Sequence, residues 1–356
     1  MVKLSLDAGL TCPNRDGRSG TGGCIYCSES GSGDFASDIP SQIRLTSRKW
    51  PDAGYLAYFQ NHTNTYAPVS FLRKRWDDAL SHPQIKGLVI ATRPDCLPDE
   101  IIELLKEYNA KTFLWVELGL QTESDVTAQL INRCYPTSVF VDAMERLQKA
   151  GIRVVVHEIL GLPGETRKQM MKTAAFVNSF HPFGIKLHML HIMKDTALGE
   201  IYRYQCLSGS QTLHQKQNLN EGHSRNAKQS QNAEHSQDAG QNLRHQQRIR
   251  KDPKEQFPAD DRFMSPDTDA LAVTIGFPQI ELLSLQDYVS LVVDILEQTP
   301  PDITIHRLTG DAPRDKLLAP DWTSNKHVVL GAIQHEFSVR GSFQGVRTNT
   351  TEDRRY

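Results

Sequence analysis

The run Lys86-Gly87-Leu88-Val89-Ile90-Ala91-Thr92 is almost unbroken in apolar character and then turns sharply polar at Arg93-Pro94-Asp95-Cys96. A strand of that kind has both faces covered, as happens when helices pack on either side of a parallel sheet. Helical signals flank it. Phe71, Leu72, Trp76 and Leu80 fall at helical spacing in 68–81, and Pro98 opens a helix carrying Ile101, Ile102, Leu104 and Leu105. The alternation extends in both directions, with strands predicted at 2–7, 55–60, 113–120, 153–161 and 185–192 and helices at 124–133, 138–150 and 166–179. Strand–helix units in series build a parallel sheet, and this many of them predict an α/β fold, a partial parallel (β/α) barrel. Residues 1–207 form its core with the cysteine loop.

The pattern stops at 208–261, which is rich in Gln, Asn, His and Ser. So few apolar groups cannot offset the entropy of ordering, and this low-complexity insertion is predicted to be disordered. His214, His223, His235 and His245 lie in it at irregular spacing, which favours a solvated insertion over a metal site. Residues 262–345 then complete the core: Ser284 caps a helix over 285–298 with Tyr288, Leu291, Val292 and Ile295 inward, a strand follows at 303–308, and a last helix at 326–337. A polar tail, 346–356, ends the chain. The chain has 356 residues and a net charge of −2, so no global basic footprint points to nucleic acid. Without an 18-residue apolar run or an export signal, a cytoplasmic protein is expected, with its six cysteines reduced.

In such a barrel, chemistry sits at the C-terminal ends of the strands. Those ends are loaded with polar groups: Cys12, Cys24 and Cys27 after the first, Gln60 and Asn61-His62-Thr63-Asn64-Thr65 after the second, and Arg93 to Cys96 after the third. Glu117 and Gln121 follow in the fourth, then 157–165 (HEILGLPGE), His188 and His191, and finally Arg307. Each has an ordinary structural explanation, such as an Arg93–Asp95 surface pair or a core His157, but their common direction points to one pocket. The cysteines are spaced C-x11-C-x2-C across a glycine-rich connector. Three thiolates suit an iron–sulfur cluster with one iron left open. Structural zinc is the alternative, for which a fourth ligand is wanted and only His62 and Cys96 are at hand.

Seven ordered segments, DAGLTCPNRDGRSGTGGCIYC, YFQNHTNTYAP, TRPDCL, ELGLQT, HEILGLPGE, IKLHML and HRLTGDAP with LAPDW, resemble the radical S-adenosylmethionine (SAM) superfamily. They are most similar to its YhcC-type branch, related to the elongator catalytic subunit. The resemblance implies that Cys12, Cys24 and Cys27 ligate a [4Fe–4S] cluster whose open iron is chelated by SAM. It further implies that Tyr26 flanks cluster and adenine, that the turn with Gln60 and Asn64 holds the methionyl amine, and that Glu117 and Gln121 lie near ribose or methionine. Gly161, Glu165 and His188 would stand beside adenine. The reaction implied is reductive cleavage of SAM to a 5′-deoxyadenosyl radical that abstracts hydrogen, fed by a flavodoxin- or ferredoxin-like one-electron reductant. The family's Arg-Gly-His triplet is Arg133-Cys134-Tyr135 here, and a further N-terminal segment would be expected ahead of the first strand. Arg93, Arg307, His188 and His191 are candidates for an anionic or nucleotide substrate, and Cys96 for a second redox group, a hydrogen-atom donor or a small buried residue. We therefore expect catalytic roles at Arg93, Cys96 and Arg307, and tRNA as the candidate substrate. The rival expectations are a metal-stabilised RNA-binding module without turnover and a degenerate relative that binds SAM without cleaving it.

Overall fold

The computed structural model describes residues 1–31, 35–208 and 276–348. The chain divides into two compact units, Met1–Gly199 with Glu281–Tyr356, and Glu200–Ile280. The sheet belongs to the first. In chain order its elements are β1 (Val2–Leu6), α1 (Ile39–Ser47), β2 (Tyr55–Phe59), α2 (Val69–Leu80), β3 (Ile85–Thr92), α3 (Asp99–Lys111), β4 (Phe113–Gln121), α4 (Asp125–Leu130), α5 (Thr137–Lys149), β5 (Arg153–Leu160), α6 (Arg167–Asn178), β6 (Gly184–Met189), β7 (Ile192–Met193), α7 (Leu285–Glu297), β8 (Thr304–Arg307), β9 (Leu317–Ala319) and α8 (Lys326–Arg340). Seven strands pair in the order β1-β2-β3-β4-β5-β6-β8, every pair parallel. This is the expected partial (β/α) barrel, with β7 and β9 as a separate antiparallel pair.

The strands have two different faces. One set of alternating residues, including Leu88, Ile90, Val116, Leu118, Val154 and Val156, packs with the helices into the main core. The opposite set is sparser: Leu56, Tyr58, Val89, Ala91, Trp115 and Val155 make a small cluster inside the curl of the sheet. Polar residues follow it toward the strand ends. Local chemistry sets the helix starts: Asp38, Ser124 and Ser284 each accept a hydrogen bond from the first turn, and Thr166 forms a capping box with Gln169.

The structure departs from the expected boundaries in two places. The helix expected over 124–133 ends at Leu130, because Asn132 and Cys134 adopt positive φ (54° and 61°), which a helix cannot continue. The strand expected over 185–192 splits, since β6 ends at Met189 and Ile192 and Met193 turn to pair with β9. The disordered insertion expected over 208–261 lies, from 209 on, outside the described residues, as do 262–275 of the expected C-terminal completion.

Candidate active site

Three cysteines reach one place because their loop is fastened from several sides. Arg15 bends back so that its Nη2 donates to the carbonyls of Cys27 (3.0 Å) and Ser28 (2.6 Å). The turn after α4 grips the connector: Asn14 Nδ2 donates to Asn132 O (2.6 Å), Asn132 Nδ2 to Gly23 O (2.7 Å), and the Ile25 amide to Ile131 O (3.1 Å). Gly20 must lack a side chain there, since a Cβ would stand 2.3 Å from Asn14 Oδ1 and 2.7 Å from Cys134 Sγ. Cys134 explains its own oddity. It occupies the glycine place of the expected triplet in a left-handed conformation, while Arg133 is fully buried and donates to the carbonyls of Leu120, Thr122 and Tyr135. The Tyr135 hydroxyl donates to Gly119 O (2.6 Å), so the triplet pins the end of β4 to the cysteine loop.

The loop closes over a cavity of about 290 Å³ at the C-terminal ends of the strands. Cys12, Cys24, Cys27, Tyr26, Gln60, Arg93, Glu117, Gln121, His188 and Arg307 all line it. Asn64, Cys96, Gly161 and Glu165 are not among its lining residues. Asn64 is buried and builds the turn after β2, its Nδ2 donating to the carbonyls of Phe59, Asn61 and Ala91. Cys96 is buried beside Asp95, its thiol pushed up by burial. Gly161 sits at φ +86°, and Glu165 accepts from Thr122 Oγ1 (2.5 Å). Arg93 and Asp95 do pair, through a two-pronged contact at 2.9 and 2.8 Å that is largely buried, and Arg93 also lies over the Tyr135 ring (4.8 Å).

Burial pushes the Cys24 thiol up to about 12, with Cys27 adding to it, and the Cys27 thiol rises for the same chief reason. Thiolates here need a cation to hold them, as a metal cluster does. No three His, Cys, Asp or Glu side chains among the described residues converge on a point suited to a single ion. Three cysteines around one cavity suit an iron–sulfur cluster with one iron left open, whereas structural zinc would want a fourth ligand. The turn after β2 fits a polar ligand. Buried Asn61 Oδ1, His62 Nδ1, Thr63 Oγ1 and Asn64 Oδ1 have no hydrogen-bond partner, and His62 and Thr63 line the cavity. Four successive unpartnered polar atoms are costly unless something completes them.

On the floor of the cavity, sequence reasoning found Glu117, His157 and His188 but missed the partners that Glu117 gathers, Lys3, Trp115 and Lys186. Glu117, fully buried, receives Lys3 Nζ (3.1 Å) and Trp115 Nε1 (3.3 Å) on Oε1, and His157 Nε2 (3.0 Å) and Lys186 Nζ on Oε2. Its carboxyl is held well below the usual range because Lys186, His157 and Lys3 outweigh its burial. Lys186 also donates to the Tyr58 hydroxyl (3.1 Å). Burial pushes the Lys186 ammonium down to about 7 and His157 down to about 4, and drives His188 well below its ordinary value. The available signal was parity: Lys186 and His188 sit two apart on one strand and therefore share a face.

Residues 15–177 match the radical SAM superfamily, and residues 278–338 match the radical SAM C-terminal domain. The uncharacterised protein YtqA of Bacillus subtilis is 38% identical over 97% of this chain and 87% of its own length. Protein YhcC of Escherichia coli is 30% identical over 96% and 90%. A tRNA uridine(34) acetyltransferase of Methanocaldococcus infernus is 30% identical over a shorter stretch, 33% of this chain and 22% of that protein. Among solved structures, the Methanocaldococcus infernus Elp3 lacking its N-terminus shares the fold with a TM-score of 0.56 at 12% identity, over 96% of this chain and 64% of that one.

Proposed function

The chain belongs to the radical SAM superfamily, and on that premise we propose that its cavity is the seat of a SAM-dependent radical reaction on an RNA nucleotide, with tRNA the first substrate to try. Membership makes it an enzyme of radical type; the substrate is our reading. The observation that carries the reading is the meeting, in one cavity, of three cysteines and a turn of unpartnered polar atoms. When bound, a [4Fe–4S] cluster and SAM supply a 5′-deoxyadenosyl radical after one-electron reduction.

The chain's own residues do the rest. Cys12, Cys24 and Cys27 would hold the cluster, and Arg15 and Asn132 keep their loop in place. Thr63 Oγ1, unpartnered and lining the cavity, would accept from an ammonium such as that of SAM, and Asn64 behind it would hold the turn in place. Tyr26, between two of the cysteines, presents an aromatic face, and Gln60, Gln121 and His188 offer polar contacts along the wall. Gly161 and Glu165, on the loop after β5, would shape the adenine side. Arg93, anchored by Asp95, and Arg307 would face the substrate, while Cys96, buried beside Asp95 and outside the cavity lining, would be a small packing residue. The short matched stretch in a tRNA uridine(34) acetyltransferase supports tRNA as the first substrate to test. A flavodoxin- or ferredoxin-like protein would serve as reductant. No helix among the described residues is long and apolar enough to cross a membrane, and a cytoplasmic setting would keep the thiols reduced.

The test is formation of 5′-deoxyadenosine by anaerobically reconstituted protein given dithionite and SAM. We expect it in the wild type and not in Cys12→Ala, Cys24→Ala or Cys27→Ala. One equivalent of zinc without inorganic sulfide, and no deoxyadenosine, would overturn the reading in favour of a metal-stabilised binding module.

A further inference from the structure

We infer that Lys186 and Arg307 form a seat for an oxyanion of the substrate, a carboxylate or a phosphate, with His188 as a third donor. The inference rests on the cavity being the place of reaction. Lys186 on β6 and Arg307 on β8 are register partners on adjacent strands, and both line the cavity. Register partners in a parallel sheet project to the same side, so two cations stand side by side. His188 lies two residues further along β6, on the same face and nearer the cysteine loop.

The donors are not used up. A lysine ammonium has three N–H groups; Glu117 and the Tyr58 hydroxyl take two from Lys186. A guanidinium has five, and the ion pair of Arg307 is a 3.5 Å contact with Asp311, which also binds Lys326 at 3.2 Å. Nor are the charges balanced. Glu117 is the buried carboxylate on this floor, with Lys3, Lys186 and Trp115 already on it, and His157 donates its Nε2–H there, so that ring acts as a prop for Glu117. Burial above all, with the Lys3 and Arg307 charges adding to it, brings the Lys186 ammonium down to about 7 despite Glu117. An arriving oxyanion would reverse this: it would favour the ammonium and draw a proton onto Nζ. A planar guanidinium beside a point-like ammonium is a common way to grip a carboxylate or phosphate.

The test is calorimetric titration of cluster-reconstituted, SAM-loaded protein, without reductant, using inorganic phosphate and, separately, acetate. Buffers of different ionisation heat at pH 6 and pH 8 report protons taken up. The expected result is saturable binding alongside SAM, with uptake of protons at pH 8 and affinity falling by up to about tenfold per pH unit above the Lys186 value. Arg307→Gln should weaken binding by about tenfold or more while keeping the proton uptake. Lys186→Met should lose both; if it does not fold, the Lys186→Met/Glu117→Gln pair removes both charges together and should behave the same way. Tighter binding of phosphate marks a phosphate-bearing substrate, and tighter acetate a carboxylate. Failure of either anion to bind, binding indifferent to Arg307→Gln, or displacement by SAM with its own carboxylate would overturn the inference. Deoxyadenosine formation is measured separately. Its presence without anion binding overturns only the seat, whereas its absence with anion binding overturns only the radical reading.

Discussion

Glu117 and Glu158 lie on adjacent strands, each 1% exposed, and they behave as opposites. Glu117 faces the interior of the curl, where both oxygens are taken by donors and the carboxyl is held well below its usual range. Glu158 alternates with Val154, Val156 and Leu160 on the face packed against the helices. Neither of its oxygens has a partner, and burial, with Glu165 nearby, pushes it up to about 8. Depth is equal, so depth does not decide the charge. The interior is a place made for ions, and the helix-facing layer is one where a carboxyl survives by keeping its proton.

The largest test of this contrast is Glu117→Gln. It strands Lys186 and Lys3 without their carboxylate, and a broken buried pair costs about 3–5 kcal/mol, read as a lower denaturant midpoint at pH 7. The sign with pH follows from a depressed folded value: Glu117 stabilises fully above its unfolded value near 4.5, and that gain fades as pH falls through its lower folded value. The deficit of the variant should therefore shrink in acid. Glu158→Met tests the other face in the opposite direction. A carboxyl raised in the fold costs nothing below about 4.5 and progressively more from there to about 8. The advantage of methionine should therefore grow by up to about 1.4 kcal/mol per pH unit between pH 5 and pH 8 and be small at pH 4. A gain independent of pH would mean that Glu158 is not the proton-holding group.

Thr63→Val sharpens the contrast from a third side. Its hydroxyl is as lacking in partners as Glu158 but faces the cavity. Removing an unpaired buried hydroxyl should leave stability within about 0.5 kcal/mol, yet a lost hydrogen bond to a charged ligand is worth about 1.5–3 kcal/mol. SAM should then bind about tenfold or more weakly by equilibrium dialysis. The smallest effect belongs to an exposed carboxylate. Lys106→Ala removes the surface partner of Glu103 and should change the midpoint by less than about 0.5 kcal/mol.

Much of the architecture was legible in the chain. Apolar runs such as 86–92 have no reading other than a strand covered on both faces, and the capping residues announce where several helices begin. The cysteine loop was legible because its spacing is local. The floor was not. Lys3 and Glu117 are separated by 114 positions and meet only through the register of the strands between them. An isolated lysine ordinarily signals surface, so nothing in the chain marks Lys3 or Lys186 as part of the floor. The early end of α4 was hidden for another reason. Cys134 carries no sequence mark of a left-handed backbone, which its neighbours impose through the buried Arg133.

The sheet is open, and among its described pairings β1 and β8 are each bonded on one side only. A closed barrel has no such edges, whereas an open one offers each unpaired strand as a template on which another chain can add. Both edges here are short, five and four residues, and each turns a cation inward: Lys3 on one and Arg307 on the other. Inward charges on edge strands are a known obstacle to fibrous growth, because an added strand would bury them. The two cations that border the floor are therefore also expected to disfavour edge-to-edge association. Leucine at position 3 or 307 is expected to reveal itself first as turbidity on concentration, before any assay of chemistry is begun.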